Sequence, residues 1–266
     1  MNTEIAKEVV ERAIMAAAIG GVGLAGFTWP RCFAGVAGNY MGLARVEPSD
    51  RERLRGVLAA REKMEGISEV SGRYLGAACL VLAALEGVRA IPVIVPYVFF
   101  CLAIALQALF AYVQFHRTVE RRVAPLVRRS PLTALPPLVI AAMACSLVIT
   151  LVLAVESAER FDAIIVALTT LVLASIAWRV AGAPALLAGA DPQLEYAVDE
   201  RVRIGRARSV AAVACAPVIL LAASAAPSLP SAYHTFAVLA PLIATLAFLV
   251  SIAAAQIPLR ARICAA

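Results

Sequence analysis

At 266 residues, 62% apolar and only 16% charged, the chain is more hydrophobic than ordinary soluble domains, which run near half apolar. Its net charge of +6 could suit nucleic acid on a soluble protein, but no basic stripe interleaved with aromatics appears, which argues against nucleic-acid binding. Six cysteines form no CxxC pair, and Cys79, Cys101, Cys145 and Cys215 lie inside apolar runs, which argues against a disulfide framework or a zinc site.

In chain order, residues 1–12 are charged, with Glu4, Glu8 and Glu11 against Lys7 and Arg12; a secretory leader would start net positive. Asn2 follows Met1, where myristoylation needs glycine. Residues 13–29 are uncharged, rich in Ala and Gly, and end before Pro30. They read as an interfacial or half-inserted helix. Alternatively they cross the membrane and make a seventh span. Residues 47–73 read as a cytoplasmic amphipathic helix. Ser49 and Glu52 form a capping box, and Leu54, Val57, Met64 and Ile67 recur at helical spacing.

Six long apolar stretches follow, at 74–91, 94–115, 134–155, 163–185, 209–227 and 232–256. Each approaches the roughly 20 residues a helix needs to cross ~30 Å of hydrocarbon. The expected fold class is all-α: a polytopic helical membrane protein whose six transmembrane helices pair as three hairpins. The expected organisation is an N-terminal interfacial or re-entrant region at 1–46, the amphipathic helix at 47–73, the bundle at 74–257 and a cytoplasmic tail at 258–266.

Basic residues mark alternate connections. Eight Lys and Arg lie between Arg31 and Arg73, and Arg117, Arg121, Arg122, Arg128 and Arg129 follow the second span. Arg201, Arg203, Arg206 and Arg208 precede the fifth, and Arg260 and Arg262 sit in the tail, against Arg89 and Arg160 on the opposite side. Positive charge resists translocation, so this bias places the C-terminus in the cytoplasm and the protein in a cytoplasmic (inner) membrane. Arg121, Arg122, Arg128, Arg129, Arg201, Arg203, Arg206 and Arg208 are candidates for contact with anionic headgroups or a docking partner.

The segment Val119-Glu120-Arg121-Arg122-Val123 and Val198-Asp199-Glu200-Arg201-Val202 align, each reaching an Arg-Ser pair at the same spacing. Either the hairpins descend from a duplication, or loops between spans converge on Arg and Val. Three hairpins resemble mitochondrial carriers in outline, but that family's proline-acidic-basic signature is missing. The layout also resembles that of export permeases of the type-2 ATP-binding-cassette class, in topology only. That resemblance implies that loops 116–133 and 186–208 couple to an ATPase.

Charge inside a membrane usually marks function. Glu86 and Arg89 read as an end-of-span ion pair, Gln107 as a helix–helix hydrogen-bond donor, and Arg179 beside Trp178 as a side chain that snorkels to the interface. Facing inward, Arg179 would instead bind an anionic group. His116 and His234 fall at opposite ends of spans, so they cannot share a metal. No paired acid and base or nucleophile–base couple appears. No catalytic residue, cofactor or metal is expected.

The sequence thus points to a non-catalytic subunit or scaffold of a membrane complex, bound to a membrane-protein partner or to further copies of itself. The alternative is the permease subunit of an exporter powered by a separate ATPase.

Overall fold

The computed structural model describes residues 130–157, 160–184 and 192–256, together with twelve helical positions between Tyr74 and Leu109. The expected elements at 1–73 and 257–266, and the bounds of the first two spans, lie outside the described residues, so the count of six is not tested. Described helical positions do occur in both spans, from Tyr74 to Ala84 and from Val98 to Leu109.

The described part is helical. α1 is a single turn, Pro131–Ala134; α2 is Pro137–Glu156, α3 Arg160–Ala181, α4 Pro192–Ala225 and α5 His234–Gln256. Two 3-10 turns, Ala226–Ser228 and Ser231–Tyr233, join α4 to α5. Among the described residues, four helices are long and apolar enough to cross a membrane, within Pro137–Glu156, Arg160–Ala181, Val202–Ala225 and Ser231–Ser251.

Local chemistry accounts for most boundaries. Ser130 caps α1, its hydroxyl accepting from Leu132 N at 3.3 Å. The third span was expected from 134, yet Pro136 and Pro137 stop α1 and restart the chain as α2 with proline at its first helical position. At the other end of α2, Ser157 N and Oγ both donate to the Leu153 carbonyl, at 3.0 and 2.6 Å. The fourth span was expected to reach 185 but ends at Ala181, because Pro184 disfavours helical backbone at the residue before it.

α4 departs furthest from expectation. A cytoplasmic segment and a span starting at 209 were anticipated; instead one helix of 34 residues runs from Pro192 to Ala225. At 1.5 Å per residue it is about 51 Å long, well beyond ~30 Å of hydrocarbon. No proline falls between Val198 and Ser209, Gly205 costs the helix only about 1 kcal/mol, and the Glu200–Arg203 pair supports it across one turn.

α4 is also the central helix. It packs against α5, α3 and α2, and 67% of its apolar window is buried, against 28% for α5. Its contact face is built from alanines such as Ala207, Ala211, Ala214 and Ala222, all essentially inaccessible. Small side chains let helix backbones approach closely, and packing of this kind holds helices together where lipid removes the hydrophobic drive. The alanines of α4 therefore serve at least partly to pack helices within the chain.

The outer faces carry Leu138, Val148 and Leu151 on α2, Leu168 and Leu171 on α3, and Leu242 and Leu246 on α5, all exposed. Faces this apolar are compatible with a membrane location. The exposed hydroxyls of Ser175 and Thr245 donate to their own helix, to Leu171 O at 2.8 Å and Pro241 O at 2.7 Å, so neither presents an unsatisfied donor outward.

Gly182, just past α3, lies against α1. A Cβ there would sit 3.2 Å from Pro131 Cγ. Two terms oppose in Gly182→Ala: loss of unfolded-state freedom gains about 0.4–1 kcal/mol, and overpacking costs about 1–3 kcal/mol. The proline ring has little freedom to yield, so a net loss near 1 kcal/mol is expected by thermal unfolding in detergent. An unchanged or raised midpoint would show that α1 moves aside freely.

Candidate functional site

The densest gathering of polar side chains among the described residues lies where α1, the end of α3 and the first half of α4 meet. Two helix ends create the need for it. The last carbonyls of α3 lack partners in their own helix, as at any helix C-terminus. The break at Pro136 and Pro137 leaves carbonyls of α1 in the same position. Both ends are buried, Ala134 and Ala181 being fully inaccessible, so water is not there to compensate.

Two arginines of α4 supply the donors. Arg203 lies on the same helical face as the buried Ala207, Val210 and Ala214, which directs it into the bundle. Its Nη1 donates to the Ala181 carbonyl. Its Nη2 donates to Thr133 Oγ1 at 3.2 Å and to Glu200 Oε1, and its Nε donates to Glu200 Oε2 at 3.1 Å. The Glu200 pairing is thus bidentate, the geometry that suits a guanidinium fork. The cation also sits at the negative end of the α3 dipole. Thr133 passes the chain on, donating to Ser130 O at 2.7 Å. One turn or so along α4, Arg208 Nε donates to the Ala134 carbonyl at 2.9 Å.

The result is a clasp that joins α1, α3 and α4. Arg203, Arg206 and Arg208 are 4%, 2% and 9% exposed, and Asp199 is 7% exposed. The sequence reading set Arg203, Arg206 and Arg208 among the groups that meet headgroups or a partner. The structure buries all three, and for Arg203 and Arg208 it shows intrachain acceptors. The signal for this was present in the sequence. Arg203 falls on an apolar stripe of α4, and two consecutive prolines announce orphan carbonyls nearby.

The other candidates fall as follows. Arg179 is in the last turn of α3 and is exposed beside the half-exposed Trp178, so it points away from the bundle interior, as a snorkelling side chain does. Arg201 is in α4, its side chain outside the described residues. Glu86, Arg89, Gln107, Arg121, Arg122, Arg128 and Arg129 lie outside the described residues. His234 opens α5 and is exposed.

A second, smaller polar group was not foreseen as a cluster. Cys215 Sγ lies 3.9 Å from Ser251 Oγ, and the Ser146 hydroxyl also reaches the thiol, joining α4, α5 and α2. All three are fully buried. Ser146 Oγ also lies 2.9 Å from Ala142 O, bonded back to its own helix. Among the described residues, no three His, Cys, Asp or Glu gather as a metal would need.

No protein family, curated protein or solved structure matches this chain. Chemically, the clasp holds guanidinium donors and the Glu200 carboxylate locked in mutual hydrogen bonds. It ties helix ends together, and the thiol–hydroxyl contact ties α4 to α5.

Proposed function

We propose that the chain is a non-catalytic subunit or scaffold of a membrane complex. One observation carries this reading. The polar side chains inside the described bundle make hydrogen bonds to its own backbone and to one another, while broad apolar faces on α2, α3 and α5 are left outside. In this reading the protein sits in a cytoplasmic membrane with its C-terminus inside. Arginine-rich connections such as 121–129 face anionic headgroups. The partner is another membrane protein or a further copy of the chain, and no reaction is catalysed.

Purification from native membranes in mild detergent tests it. A partner at fixed stoichiometry, or a defined homo-oligomer, is the expected result; a lone monomer at every detergent concentration would sink the reading.

A second reading draws on a different feature. α4 and α5 each contain an internal proline, Pro217 and Pro241, and prolines within apolar helices are a feature of transporters. An export permease driven by a separate ATPase would use them. An ATPase co-purifying with the chain would favour that reading.

A further inference from the structure

We infer that the end of α3 beside the clasp holds one anionic phospholipid, with its phosphate on Arg179 and an acyl chain along the exposed face of that helix. The inference rests on the membrane location in the reading above and not on the scaffold role. Headgroup contact was expected of Arg203, Arg206 and Arg208, and the bundle buries all three. Among the described side chains, Arg179 is the arginine of that end left outside. It is exposed, and among the described residues its guanidinium makes no hydrogen bond or ion pair. Glu200, a carboxylate of the same end, is already held by Arg203 in a bidentate pair.

Helix length sets the depth of this side chain. Arg160 is the first residue of α3 and Arg179 the third from last, about 28 Å apart along the axis. That is close to ~30 Å of hydrocarbon, so each guanidinium falls where hydrocarbon meets headgroups. A phosphate is the acceptor that fits there, because two of its oxygens take parallel bonds from a guanidinium fork. Trp178, half-exposed beside Arg179, brings an amphipathic ring to the glycerol level. From Trp178 the exposed Ser175, Leu171 and Leu168 recede along one face of α3 at spacings of three and four residues. The Ser175 hydroxyl is turned back on its own helix, which leaves that face apolar in effect. Leu168 to Trp178 covers about 15 Å, the depth of one leaflet.

Charge separates the two ends of α3. Glu156 and Asp162 flank Arg160 in sequence and both are partly exposed, so an anion at that end meets repulsion. No Asp or Glu lies between Asp162 and Asp191, so Arg179 has no such neighbour along the chain. The C-terminal dipole of α3, which alone would repel an anion, meets the Arg203 cation at the Ala181 carbonyl. In the proposed orientation this end faces the cytoplasm, whose leaflet carries the anionic lipids. One unpaired arginine at such a surface favours an anionic over a zwitterionic lipid about fivefold.

Quenching of tryptophan fluorescence by brominated lipids tests it on the full chain in lipid nanodiscs. Trp29→Phe leaves Trp178 as the sole tryptophan. Nanodiscs of phosphatidylcholine carry, at equal mole fraction, either brominated phosphatidylglycerol or brominated phosphatidylcholine. The expected result is stronger quenching by the anionic lipid, fitting a preference of about fivefold. Arg179→Gln should bring the preference to near parity, and Arg179→Lys should keep part of it, because the charge survives while the fork is lost. Inorganic phosphate added at matched ionic strength should leave the preference unchanged. Quenching by neither lipid would overturn the membrane placement of this face and the inference with it; equal quenching by both would overturn the inference alone. So would a preference that survives Arg179→Gln, or one that free phosphate removes. Should Arg179→Gln fail to fold, the parent comparison and Arg179→Lys still decide.

Discussion

Arg203→Ala is expected to lower the stability of the purified protein by about 2–3 kcal/mol, toward the lower edge of what breaking a buried ion pair costs. The substitution removes the donors to the Ala181 carbonyl and Thr133 hydroxyl and leaves Glu200 without its bidentate partner. The Ala181 carbonyl is fully buried, so its lost bond is not replaced by water. Glu200 keeps 27% of its side chain exposed and can rehydrate, which holds the figure down. Arg203→Lys should recover little, because an ammonium cannot reach a carboxylate, a hydroxyl and a carbonyl with one planar fork. Arg208→Ala, which removes the bond to the Ala134 carbonyl, should cost about 1–2 kcal/mol. Thermal unfolding in detergent, followed by size-exclusion of the surviving fraction, measures all three. If Arg203→Ala survived heating as well as the parent, the clasp would hold nothing together.

Leu246→Asp carries the second large effect, and its sign depends on what surrounds α5. Leu246 is 62% exposed and lies near the middle of a helix running from His234 to Gln256. In water such a position accepts aspartate at little cost. In hydrocarbon, aspartate at a helix centre costs about 2.5–3.5 kcal/mol on insertion, and the lost leucine adds about 0.5 kcal/mol. The fraction of chain resisting alkaline extraction from membranes should therefore fall sharply for Leu246→Asp and stay level for Leu246→Ala. Equal retention of the aspartate variant would place that face of α5 against something other than lipid.

Both effects bear on how the chain is assembled. Arginines near the ends of apolar helices are usually read as orientation signals, and that role concerns the membrane. Here Arg203 and Arg208 also complete the backbone hydrogen bonding of α1 and α3. A single side chain can serve both ends, because the same positive charge that resists translocation complements a helix C-terminus.

Apolar run length and proline position made the four long helices legible in the sequence. The expected spans at 134–155 and 232–256 differ from α2 and α5 by a few residues. Trp178 and Arg179 were legible as a pair near the end of an apolar helix, and both are exposed there. The continuity of α4 was not legible. Charge and Gly205 at 199–208 imitate a loop, although no proline there breaks a helix.

What the sequence determined by itself was the number of residues each long helix could offer to an apolar surrounding, because that depends on side chains summed along one strand of chain. What only the tertiary structure decided was which charges point inward, and which distant polar groups meet. Arg203 is buried because an orphan carbonyl 22 residues away needs a donor. Cys215 meets Ser251 because α4 and α5 pack side by side, although 36 residues separate them in the chain. Hydrogen-bond need and packing depth belong to pairs of distant residues, and no local pattern records them.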